Sequence, residues 1–158
     1  MPTPIRVTKI HHACLTVDDG STRLLLDPGR FGPRPDLDGI DAVLITHRHF
    51  DHFDPELVEE ALRRAVPVWM PGDAFGDLGD SSGAVGDNLH EAVAGATLRI
   101  GALTVQVSGS RHAEVHPTIP GPENRAYLID ERVLVTGDEH PVPPSRPTTL
   151  VTPIDAPW

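Results

Sequence analysis

Residues 46–54 read Thr-His-Arg-His-Phe-Asp-His-Phe-Asp, which puts His47, His49, Asp51 and His52 within six consecutive positions. Imidazole nitrogens and carboxylate oxygens are the donors that zinc accepts, and manganese and iron accept them too. The cluster follows the apolar run Ala42-Val43-Leu44-Ile45 and precedes Asp54-Pro55-Glu56. A buried strand, a loop rich in donors and then a helix is where open α/β sheets place their chemistry. A single histidine is usually a core or surface residue. Three with an interleaved aspartate at such a junction predict a metal centre. The helical His-Glu-x-x-His motif is absent, so the ion is held in a different way.

Two later residues occupy the same kind of position. His112 closes Ser108-Gly109-Ser110-Arg111-His112, just past a strand pattern at 103–107. Asp138 closes Thr136-Gly137-Asp138, just past another at 133–135, and Gly137 allows the chain to turn tightly before the carboxylate. Alone, each reads as a turn residue or a cap; beside the first cluster they read as ligands. Two divalent ions about 3.5–4 Å apart share a water and lower its pKa enough to make hydroxide near neutral pH. That nucleophile attacks a carbonyl or phosphoryl centre. No Gly-x-Ser-x-Gly elbow, Gly-x-Gly-x-x-Gly or P-loop pattern offers a competing chemistry. His116, inside a Pro/Gly-rich stretch, is a candidate for orienting substrate or protonating a leaving group, with a plain surface histidine as the equal alternative. His12 is a candidate for lining the site from the first strand pair, and His11 and His90 carry no signal.

The elements that must position these groups are short strands. Alternation predicts strands at 5–10 and 13–17, a turn at Asp18-Asp19-Gly20 and a returning strand at 22–26. A Pro/Gly/Asp-rich loop at 30–41 leads to the strand at 42–46. Asp54 is an N-cap followed by proline at the first helical position. Leu57, Val58, Ala61, Leu62 and Ala65 then recur on one helical face, Arg63 and Arg64 suit the last turn, and Pro67 stops the helix. Strands follow at 68–70, 96–100, 103–107, 125–129, 133–135 and 149–152, while 72–95 gives no firm assignment.

The chain has 158 residues, 39% of them hydrophobic and 23% charged, which fits one soluble domain spanning 1–158. Its 17 prolines and 14 glycines argue for loops and turns rather than a helical bundle. A formal charge of −10 disfavours nucleic acid and anionic membrane surfaces as partners. Cys14 is the single cysteine, so no intrachain disulfide forms, and its apolar neighbours favour packing over catalysis. The N-terminal residues lack a signal-peptide pattern and no stretch would span a bilayer, so the expected location is cytoplasmic.

The ordered set Asp27 in Leu26-Asp27-Pro28-Gly29, the 47–52 cluster, His112 and Asp138 resembles the metallo-β-lactamase fold superfamily. Within it the chain looks most like the branch that contains ascorbate-6-phosphate lactonase. His12-Ala13-Cys14-Leu15, His112-Ala113-Glu114-Val115-His116-Pro117 and the closing Pro153-Ile154-Asp155-Ala156-Pro157-Trp158 add to that likeness. The resemblance implies an α/β fold, an αββα sandwich that is incomplete at the C-terminus. It implies that His47, His49 and His112 hold one ion, that Asp51 and His52 hold a second, and that Asp138 bridges them. Asp51, Asp138 and His116 would be the catalytic residues, and Asp27 would orient the histidine loop. His49, where an oxygen-reducing diiron relative would carry Glu, favours hydrolysis.

Members of that branch usually continue past the Ala-Pro-Trp segment to a last histidine for the second ion. The expectation is therefore a truncated form in which that donor is missing, with His140 or His116 as substitutes, or a form whose exposed last strand another copy of the chain covers. The expected function is hydrolysis of a small ester, lactone or phosphorylated molecule with two divalent ions, zinc first, manganese or iron as alternatives. The competing expectations are a metal-binding but inactive structural or regulatory protein, and a one-iron oxygenase on the same fold.

Overall fold

The computed structural model describes residues 3–79, 86–143 and 145–154. Asp155, Ala156, Pro157 and Trp158, which carry part of the resemblance, lie outside the described residues, as does part of the unassigned 72–95 stretch.

Two sheets pack face to face. The first contains β1 (Arg6–His11), β2 (Cys14–Asp18), β3 (Arg23–Leu26), β4 (Ala42–Leu44), β5 (Val68–Met70) and β6 (Leu89–Glu91), in that spatial order. The second runs β11 (Thr149–Val151), β10 (Val133–Val135), β9 (Ala126–Ile129), β8 (Leu103–Ser108) and β7 (Thr97–Ile100). Pairing is antiparallel from β1 to β3 and parallel from β3 to β6, while β11 joins the antiparallel second sheet through a parallel pair with β10.

Helix α1 (Pro55–Arg63) crosses from β4 to β5 and covers the outer face of the first sheet. Asp54 caps it, its carboxylate accepting from the Glu56 amide at 3.2 Å. Leu57, Val58, Ala61 and Leu62 pack with Leu25, Val43, Ile45, Val68 and Met70. Ala65 does not join this buried stripe: the helix ends at Arg63, and Ala65 is exposed with φ +60°. The Ala65 amide still bonds the Leu62 carbonyl at 3.0 Å and the Val66 amide the Ala61 carbonyl at 2.9 Å, a left-handed exit that closes the helix before Pro67.

Between the sheets lies a second core. Leu15, Val17, Leu24, Leu26, Ala42 and Leu44 from the first sheet meet Leu103, Val105, Val107, Tyr127, Ile129 and Val133 from the second. Strand β8 shows the expected alternation, with Leu103, Val105 and Val107 buried. Strand β9 is buried on both faces: Tyr127 and Ile129 point to the inter-sheet core, and Ala126 and Leu128 join Leu134 in a small cluster apart from it. The result is the α/β sandwich expected from the motif set.

Several strand limits differ from the sequence expectation. Strand β4 ends at Leu44 rather than 46: the Ile45 amide still bonds the Trp69 carbonyl of β5, but the Thr46 amide turns to the Asp27 carboxylate. Within 72–95 the chain forms 3₁₀ turns at Gly72–Asp77 and Gly86–Asn88 before β6. No helix of the described residues is long and apolar enough to cross a membrane.

Candidate metal centre

The ends of β3, β4, β8 and β10, with the turn between β1 and β2, meet at one rim of the sandwich. Sequence-distant donors converge there. Ligand atoms of His47, His49, His112 and Asp138 lie within 4.8 Å of one another, and so do those of His12, Asp51 and His52.

In the first group His47 Nε2 lies 3.1 Å from His49 Nδ1 and 3.8 Å from Asp138 Oδ2. His112 Nε2 is 3.2 Å from the same aspartate oxygen, and its Nδ1 donates to the Ala113 carbonyl at 2.7 Å, which leaves Nε2 aimed at the group. In the second group Asp51 Oδ2 is 3.0 Å from His12 Nε2 and 3.5 Å from His52 Nε2. Asp138 joins the two: Oδ2 faces His47 and His112, while Oδ1 lies 3.4 Å from His52 Nε2. Three imidazoles and a carboxylate on one side, and two imidazoles and a carboxylate on the other, suit divalent zinc, manganese or iron.

Around these groups is a shell of polar contacts. Asp27 receives the Thr46 amide, the Thr46 hydroxyl and His52 Nδ1, each at 2.7 Å. Asn124, fully buried, accepts the Asp138 amide at 3.1 Å and donates to the Thr136 carbonyl at 2.9 Å. The Tyr127 hydroxyl donates to the Ile45 carbonyl at 2.6 Å, and the Arg125 amide to the Thr46 carbonyl at 2.8 Å. The second sheet thereby grips the loop of the first. Neither Asn124, which holds the Asp138 backbone, nor Tyr127, which holds the loop, carries a sequence signal for its role, since each reads simply as part of a strand or its approach.

Electrostatics divide the histidines. Burial pushes His47 down to about 2, aided by the neighbouring His52, so its ring is neutral and presents a lone pair. Burial also lowers His49, with His112 adding to the effect. Burial works the same way on His52, but Asp27 and Asp138 outweigh it and raise this imidazole to about 10. For Asp138 burial acts upward, and the bond and charge of His52, with His47 and His112, hold it well below the usual carboxylate range. His52 Nε2 would have to be free of its proton to hold an ion, since a metal ligand must be deprotonated.

The other histidines near the motifs, and His90, which carries no sequence signal, fall elsewhere. His116 is exposed, its Nδ1 2.9 Å from the Thr118 hydroxyl, and belongs to neither group. His140 Nδ1 is 3.4 Å from the Thr152 hydroxyl. His90 stacks on Trp69 with centroids 4.6 Å apart.

Two hollows open on the centre. One of about 220 Å³ is bounded by Lys9, His12, Asp51, His52 and Asp138, with Val135, Val151 and Ile154 as apolar wall. The other, about 730 Å³, lies on the His49 side and carries Arg30, Arg48 and Arg111.

The model of the Beta-lactamase superfamily domain matches residues 6–155, and the chain belongs to that family. Protein Rv0786c of Mycobacterium tuberculosis is 36% identical over 166 residues, covering 98% of this chain and 73% of that one. The UPF0173 metal-dependent hydrolase MJ1163 of Methanocaldococcus jannaschii is 29% identical over 139 residues, 84% of this chain and 60% of its own length. Against the UPF0173 metal-dependent hydrolase of Methanosphaerula palustris the chain spans 45% of the relative's length. Among solved structures, Igni18, a metallo hydrolase from Ignicoccus hospitalis, shares the fold at 19% identity and TM-score 0.57, covering 84% of this chain and 61% of that one. CmlA, a diiron beta-hydroxylase from Streptomyces venezuelae, is 25% identical with TM-score 0.58, over 85% of this chain and 29% of that one.

Proposed function

We propose that this protein is a metal-dependent hydrolase of a small ester, lactone or phosphorylated molecule, related to the ascorbate-6-phosphate lactonase branch. The observation that carries this is Asp138, whose two oxygens face two separate groups of nitrogen and oxygen donors. His47, His49 and His112 would hold one divalent ion, Asp51 and His52 the other, and Asp138 both. Bound ions, with zinc favoured over manganese or iron, supply Lewis acidity and make water a nucleophile near neutral pH.

The protein's own contribution is orientation. Asp27 fixes the His52 ring through Nδ1, and Asn124 fixes the backbone of Asp138, so both side chains meet a substrate already aligned. Asp138, kept ionised by the imidazoles around it, would carry its negative charge between the two donor groups, where it could orient a nucleophilic water. The 220 Å³ hollow suits a small substrate, with Lys9 at its edge for an anionic group. Relatives bearing the name metal-dependent hydrolase support the same reaction class.

The test is metal content per chain together with turnover of p-nitrophenyl acetate and bis(p-nitrophenyl) phosphate. Two ions per chain, with turnover that chelation abolishes and zinc or manganese restores, is the expected result. Bound metal without turnover of either probe would instead favour an inactive metal-binding protein. One iron per chain with oxygen uptake would favour a one-iron thiol or persulfide oxygenase.

A further inference from the structure

We infer that His12 is a ligand of the second ion, so that the second donor set is completed from the N-terminal hairpin. This rests on the proposed metal-binding function and goes beyond it in naming a donor that lies outside the 47–52, 112 and 138 motif set.

The geometry begins in the backbone. Strands β1 and β2 pair regularly from Arg6↔Asp18 to Lys9↔Leu15, then the register shifts so that His11 pairs with Cys14. The irregularity leaves His12 and Ala13 as a tight turn, and His12 takes φ +33°, a left-handed conformation that is strained for a residue with a side chain. Irregularities of this kind re-aim a side chain. Here the ring is turned over the rim and held edge-on against Phe31, with centroids 5.0 Å apart.

Its Nε2 then sits 3.0 Å from Asp51 Oδ2, the oxygen that also lies 3.5 Å from His52 Nε2. Donors about 2.0–2.2 Å from a common zinc at near-tetrahedral angles stand roughly 3.3–3.6 Å apart. The 3.5 Å separation of Asp51 and His52 falls in that range, the 3.0 Å separation of His12 and Asp51 lies just under it, and all three ligand atoms lie within 4.8 Å of one another. His52 has its other nitrogen committed to Asp27, so only Nε2 faces this point. The second set is then His12, Asp51 and His52, with Asp138 reaching it from the first group through Oδ1, 3.4 Å from His52 Nε2. Neither His116 nor His140 reaches it.

The test counts ions and reads their surroundings by cobalt substitution, in the wild type and in His12→Asn and His12→Gln. Asparagine tolerates positive φ, so His12→Asn keeps the turn while withdrawing the donor, and far-ultraviolet circular dichroism checks that both variants fold. Two cobalt ions per wild-type chain, falling to one in both variants with the absorption of the His47/His49/His112 ion retained, is the expected outcome. Variants that keep two ions at affinities within about threefold of wild type, with an unchanged spectrum, would overturn the assignment and reduce His12 to a hydrogen-bond partner of Asp51. A single ion in the wild type that is lost in His47→Ala would also overturn it, while sparing the metal-binding function. No ion in the wild type would remove both.

Discussion

Asp27 and His52 are joined by a 2.7 Å hydrogen bond between Oδ2 and Nδ1, and both residues are buried. The same carboxylate closes on the Thr46 amide and hydroxyl, so one side chain at the end of β3 sets both the start of the histidine loop and the ring plane of its last histidine. Contacts of this type are worth about 10–100-fold in metal affinity. Asp27→Ala should weaken the second ion by that factor and leave the first nearly unchanged. A chelator-competition titration separates the two, and equal weakening at both would show that Asp27 acts on the whole loop.

His47→Ala and Asp138→Ala should each lower metal content and thermal stability together. An ion that binds only the folded chain adds RT ln(1 + [L]/Kd), about 2.7 kcal/mol at a hundredfold excess over Kd. Asp138 touches both groups, so its loss should empty more of the centre than the loss of His47. Calorimetry with and without chelator measures this; full metal retention in both variants would refute the ligand assignment.

Gly29→Ala should damage the centre from outside it. An added Cβ would collide with the Asp51 carbonyl and the His52 amide, both backbone atoms that cannot rotate away. The segment is also held by the Arg30 amide on the Phe50 carbonyl at 2.7 Å and the Asp54 amide on the Pro28 carbonyl at 3.2 Å. Overpacking of this sort costs about 1–3 kcal/mol. A denaturant midpoint falling together with metal content is the expected signature, and wild-type values for both would mean that the loop yields freely.

Cys14 gives a pH-dependent prediction. Burial, with the Asp27 charge adding, pushes its thiol up to about 12 from an ordinary value of 9. The folded chain keeps the proton where the unfolded chain would release it. The stability that this supplies is complete below pH 9 and is lost as the pH rises through 9 toward 12. The same burial makes the thiol inert: at pH 8 a disulfide reagent should label it only after unfolding. Rapid labelling of native protein would contradict this placement.

Much of the centre was legible in the primary sequence because its motifs are local. His47, His49, Asp51 and His52 share one loop, and His112 and Asp138 each follow a short apolar strand, where a turn places polar groups at a sheet rim. Helix α1 was legible for a similar reason, since its cap, its proline and its apolar spacing all lie within a dozen residues. Its exit was not, because Ala65 fits the apolar spacing and only the chain's turn into β5 removes it from the stripe.

What only tertiary structure decided is which donors share a group. Residue order associates His12 with the first hairpin and His116 with His112. In space a register shift carries His12 to Asp51, while His116 turns to Thr118. The Tyr127 hydroxyl and the Arg125 amide tie the second sheet to the loop of the first, and Asn124 holds the backbone of Asp138, through single hydrogen bonds that no pattern of residue types encodes. Spacing along the chain specifies which side chains emerge at strand ends. Their meeting depends on strand order and register across two sheets, and on buried polar groups that must each find a partner.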